Sequence, residues 1–142
     1  MRAILDTNVF ISGIFFAGPP YRILKAWRDG KIQLVISPEI LEEYRRVSHD
    51  LSKQFPAINL APILEMIAVK AEVFPNQSLP RHVCIDPDDD KFLACALTGR
   101  CKLIISGDKH LLSLAGYRGI KVIKTREFVQ DYLSKPGKQP KQ

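Results

Sequence analysis

Short apolar runs that stop abruptly at polar residues recur along the chain: Met1 to Leu5 closed by Asp6, Gln33 to Ile36 closed by Ser37, Leu103 to Ile105, and Lys121 to Ile123. Each predicts a short buried strand running into polar residues. Between them the period changes. Tyr21 to Asp29 places Ile23, Leu24 and Trp27 on one helical face, and Pro38 to Leu51, Ala61 to Val69 and Asp88 to Thr98 read as further helices. From Phe74 to Asp86, with Pro75 and Pro80 inside and Pro87 beside it, the periodicity breaks and a surface connection is predicted.

Alternating strands and helices favour an α/β fold: a three-layer α/β/α arrangement around a mostly parallel central sheet, joined by right-handed crossovers. Such sheets bind ligands outside the carboxyl ends of their strands. With 142 residues, 46% of them hydrophobic, the chain suits one domain, here 1–134. The last eight residues, KPGKQPKQ (135–142), offer no large apolar group to offset ordering and are expected to form a disordered, solubilising basic tail.

Charge alters this picture slightly. Twenty-one Lys and Arg against fifteen Asp and Glu give a net charge of +6, a mild sign of a polyanionic partner such as nucleic acid. Cys84, Cys95 and Cys101 lack the spacing of a zinc or redox motif and suit a reducing compartment. The start, MRAILDTNVF, is unlike a signal peptide, and no apolar run is long enough to span a bilayer, so a cytoplasmic protein with no membrane partner is expected.

The acids carry the chemistry. Asp6 follows the first strand and sits at the mouth of the crevice, unless it merely caps a helix begun by Val9, Phe10 and Ile11. Ser37 and Pro38 resemble an N-cap and a first-turn proline. On a wheel of about 100° per residue, Ile40, Tyr44, Val47 and Leu51 fall within about 60° of one another, with Glu43 about 40° beyond Val47 and Glu42 nearly opposite. Only Glu43 can look inward, where a carboxylate is costly unless paired or metal-bound.

The segment DPDDDKFLACAL holds four acids in five residues. Asp86 as N-cap with Pro87 after it would explain part of this through the helix dipole. Phe92, Ala96 and Leu93 span about 100° on the wheel, and Asp89 projects into that arc while Asp88 and Asp90 flank it. Asp89 is therefore the acid best aimed inward, with Asp86 second. Asp108 lies just past the strand ending at Ile105, with a helix cap again as the alternative.

Taken together, Asp6, Glu43, Asp89 and Asp108 emerge at the same end of one sheet. Converging carboxylates without counter-charge would have to protonate in part. Hard divalent cations remove the problem, and one or two Mg²⁺ or Mn²⁺ ions suit an all-carboxylate site. Two ions about 3.5–4 Å apart can activate a water and neutralise the leaving oxygen of a phosphodiester. Competing chemistries lack support: His49, His82 and His110 show no helical ligand spacing and read as surface or packed residues, and neither a nucleophile elbow nor a phosphate-binding glycine loop is present.

Four strings, LDTNVFISG, SPEILEEYRRV, IDPDDDKFLACAL and IISGDKHLL, occur in an order and spacing that resembles the PIN-domain family, particularly members assigned as toxins of prokaryotic toxin–antitoxin systems. The resemblance spans roughly Arg2 to Phe128. It implies that Asp6, Glu43, Asp89 and Asp108 are the catalytic, metal-binding acids, with Asp86 able to share the third position and Asn8 and Ser106 as polar supports. It further implies a Mg²⁺- or Mn²⁺-dependent endoribonuclease, often a homodimer and often silenced by a cognate antitoxin.

Arg22, Lys25, Arg28, Arg45 and Arg46 are candidates for tracking an RNA backbone, and Lys91 for contacting phosphate, although each also suits a solvated helix face. Two other readings stay open. Asp6 suits an aspartate-nucleophile phosphatase, although Asn8 stands where such enzymes want a second acid. The scaffold also suits a non-catalytic module that binds RNA or protein.

Overall fold

The computed structural model describes residues 1–75 and 89–133. His82, Cys84, Asp86, Pro87, Asp88 and the stretch 135–142 lie outside the described residues, as does most of the connection expected between Phe74 and Asp86. Five strands are described: β1 (Arg2–Leu5), β2 (Gln33–Ile36), β3 (Glu72–Val73), β4 (Leu103–Ile105) and β5 (Lys121–Ile123). The helices are α1 (Thr7–Phe15), α2 (Pro19–Arg28), α3 (Pro38–Ser52), α4 (Ala61–Lys70), α5 (Asp90–Thr98), α6 (Lys109–Leu112) and α7 (Thr125–Phe128).

All strand pairings are parallel, in the order β3-β2-β1-β4-β5, within a three-layer α/β/α fold. Helices cover both faces of the central strands, which is why Ile4, Leu5, Leu34, Val35, Ile36, Ile104 and Ile105 are wholly buried and β1, β2 and β4 show no apolar–polar alternation. β3 and α7 have no counterpart in the sequence pattern. β3 is two exposed residues with no period to detect. The helix that the pattern starts at Val9 begins two residues earlier, at Thr7.

α1 and α2 pack against each other, and Gly13 sits where they meet. A Cβ there would lie 2.6 Å from the Leu24 side chain and 2.8 Å from the Pro20 carbonyl oxygen. Leu24 can shift, but backbone cannot shift without moving the helix. Gly13→Ala is therefore expected to destabilise the fold by about 1–3 kcal/mol despite alanine's higher helix propensity, as read by urea unfolding. An equal or higher midpoint would contradict this packing.

Cys95 and Cys101 are buried free thiols. Burial, reinforced by Cys101, pushes the Cys95 thiol up to about 12, and burial also raises Cys101. Both are protonated at neutral pH and packed as small apolar residues.

Candidate metal centre

The strand order creates the site. From β1 the chain proceeds to β2 and β3 on one side, then returns to β4 and β5 on the other. With right-handed crossovers, the connections leaving β1 and β4 fall on opposite faces, and a crevice opens between their carboxyl ends. Asp6 immediately follows β1 and Ser106 immediately follows β4. The Asp6 amide extends the ladder by donating to the Ile105 carbonyl at 3.0 Å.

Asp6 is 6% exposed and occupies the N-cap position of α1, yet its side chain makes no cap hydrogen bond. It accepts instead from the buried Ser106 hydroxyl at 2.7 Å, and the Ser106 oxygen itself accepts from the Asp108 amide at 2.9 Å. One serine thus ties together the two strand ends and two acids. Burial raises the Asp6 carboxyl above its ordinary value; the Ser106 hydrogen bond pulls the other way, and the charges of Asp108 and Glu43 push it further up.

α3 brings the second carboxylate. Ser37 caps the helix, accepting from the Ile40 amide at 3.2 Å, and Pro38 opens it. Tyr44, wholly buried and stacked on Phe10 with ring centroids 4.1 Å apart, donates its hydroxyl to the Leu5 carbonyl, so α3 is pinned to the end of β1. Glu43 is thereby held half-buried near Asp6, while Glu42 is exposed. The two Glu43 oxygens accept from the Thr7 hydroxyl and from the Lys91 ammonium. Burial alone would raise the Glu43 carboxyl, but the hydrogen bonds from Lys91 and Thr7 and the charges of Lys91 and Arg46 outweigh it and hold it below the usual range.

Asp89 precedes α5 and is 9% exposed, whereas Asp90 is half-buried. Asp108 caps α6, accepting from the His110 amide at 2.7 Å, so here the capping role is realised. Asp89, Asp108 and His110 each offer a ligand atom, and these atoms all lie within 4.8 Å of one another. Two carboxylates and an imidazole at that spacing, with the buried Asp6 tied to Asp108 through Ser106, form a donor set suited to a divalent cation. A model of the PIN domain matches residues 2–110, most of the chain.

The chain belongs to the PIN-domain family. No curated protein matches it significantly. PIN domains are generally metal-dependent nucleases, and this PIN domain has a nuclease-type fold with an acidic cluster able to hold metal. Among its described residues, no helix is long and apolar enough to cross a membrane.

Several residues stand elsewhere than the linear pattern suggests. Asn8 is exposed, and the hydroxyl facing Glu43 belongs to its neighbour Thr7. Lys91 pairs with Glu43. Arg46 lies near enough to Glu43 to act on its carboxyl, and Arg45 is exposed beside it. Arg22, Lys25 and Arg28 are exposed along α2, whose last turn leads towards the start of β2; Arg28 therefore belongs to the opposite end of the sheet from the acids. Two residues missed by sequence reasoning join the PIN centre, Thr7 and His110. Asp108 and His110 are two apart across a cap, not at a helical ligand spacing, and only the bend of the chain brings their donor atoms together.

Proposed function

We propose that this chain is an endoribonuclease dependent on Mg²⁺ or Mn²⁺. The observation that carries the reading is the meeting of Asp89, Asp108 and His110 at the crevice that also holds the buried Asp6. Asp6, Asp89 and Asp108 would hold one or two ions directly. Glu43, engaged by Thr7 and Lys91, stands near Asp6 with its charge offset by the ammonium. The bound ions would supply positive charge for the developing transition state and lower the pKa of the attacking water.

The protein's own contribution is preorganisation. Ser106 fixes the Asp6 carboxylate against the Asp108 backbone, and Tyr44 fixes α3 against β1, so the acids need little rearrangement on binding an ion. Arg45 and Arg46, on the exposed side of α3, suit an RNA backbone passing the pocket. Hydrolysis with departure of the 3′ oxygen leaves 3′-hydroxyl and 5′-phosphate ends. A cognate antitoxin and a homodimer belong to the same reading, through the toxin-like members that the sequence resembles.

Incubation of the full chain with total RNA and Mn²⁺ is expected to yield fragments bearing 5′-phosphate, with cleavage abolished by EDTA. Cleavage that continues in EDTA and leaves 2′,3′-cyclic phosphates would refute the proposal. RNA binding without cleavage would move the protein to the class of non-catalytic modules, and a trapped phospho-aspartate at Asp6 would mark a phosphatase.

A further inference from the structure

We propose that His110 is a nitrogen ligand of the metal centre and biases it towards Mn²⁺ over Mg²⁺. The inference rests on the metal-centre reading above and deepens it. Carboxylates alone would give a hard oxygen site, which both ions accept. An imidazole changes the balance, because Mg²⁺ keeps to oxygen ligands and holds its waters, whereas Mn²⁺ and the later first-row ions bind nitrogen more readily.

The local backbone explains why His110 is available. Asp108 uses Oδ1 to accept from the His110 amide, and this turn holds His110 Nδ1 3.8 Å from the same Asp108 oxygen. The ring is 49% exposed and the Asp108 side chain 33%, so the imidazole stands at the solvent-facing side of the group, whereas Asp6 is buried. Its donor atom falls within the 4.8 Å group shared with Asp89 and Asp108. Asp89 reaches this point from the start of α5 and Asp108 from the end of β4, so the three donors approach from two separate chain segments. A residue that only donated to the Asp108 cap would need its amide alone, and that amide survives any substitution at position 110 except proline.

The test is pulsed electron paramagnetic resonance on the Mn²⁺-loaded full chain, together with Mn²⁺ and Mg²⁺ titrations by calorimetry. The parent is expected to show modulation from a directly bound nitrogen, and His110→Ala to lose it. His110→Ala is expected to weaken Mn²⁺ binding by about tenfold or more while changing Mg²⁺ binding by less than about twofold. Bound Mn²⁺ without nitrogen modulation in the parent overturns the role of His110 and leaves the metal-centre reading standing. Equal weakening of both ions, with circular dichroism unchanged, also overturns it, because a general charge or packing effect would then suffice. Absence of binding by either ion removes the metal-centre reading and this inference with it.

Discussion

An Asp6→Asn variant is expected to be more stable than the parent chain in the absence of metal, and at least about a hundredfold slower as a nuclease. Burial holds the Asp6 carboxyl above its ordinary value, and Asp108 and Glu43 add to the shift. A carboxyl whose folded pKa exceeds its unfolded one favours folding fully at pH values below the unfolded pKa. That contribution is lost as the pH rises through the folded pKa. Once deprotonated, Asp6 therefore weighs against the fold.

Asparagine removes the charge while keeping an oxygen to accept from Ser106. Thermal melts in EDTA should place the variant a few degrees above the parent at neutral pH, with the gap closing as the pH falls below the ordinary carboxylate range. Mn²⁺ should raise the midpoint of the parent and leave that of the variant nearly unchanged. A variant less stable than the parent across the whole range would show that Asp6 is a structural residue after all.

Lys91→Met is expected to destabilise the chain by about 1–3 kcal/mol, because Glu43 would keep its charge in a half-buried place and lose the ammonium that offsets it. In a domain of this size each kcal/mol moves the melting midpoint by about 2–4 °C. The Glu43 carboxyl lies below its ordinary value, so the contribution of the pair is present above the unfolded pKa and fades as the pH falls through the folded one. The double variant Lys91→Met/Glu43→Gln should regain much of the loss, and a double-mutant cycle isolates the coupling. Mn²⁺ should bind Lys91→Met more tightly than the parent, since a cation beside the pocket has gone. No coupling between the two positions would leave the Lys91–Glu43 contact without energetic weight.

The framework was legible in the sequence because fully covered strands leave uninterrupted apolar runs. Gln33 to Ile36 and Leu103 to Ile105 appear with those boundaries, and Lys121 to Ile123 does so although it is only partly covered. Helix geometry also told Glu43 from Glu42, since the inward stripe of α3 sets the facing of every residue on it, and Glu42 is indeed the exposed one. What stayed hidden depends on distance along the chain or on bends within it. Thr7 meets Glu43 across 36 positions and Lys91 meets it across 48, contacts that no local period encodes. Gly13 reads as a weakness in a helix until Leu24 and Pro20 are packed against it.

The two sides of the pocket are built differently. Asp6 is woven into the ladder through its amide, with Tyr44 bracing the residue before it, whereas Asp108 and His110 are carried by a helix of four residues. Substitutions that disturb α6 are therefore expected to displace the Asp108 and His110 side chains while leaving the Asp6 backbone in place.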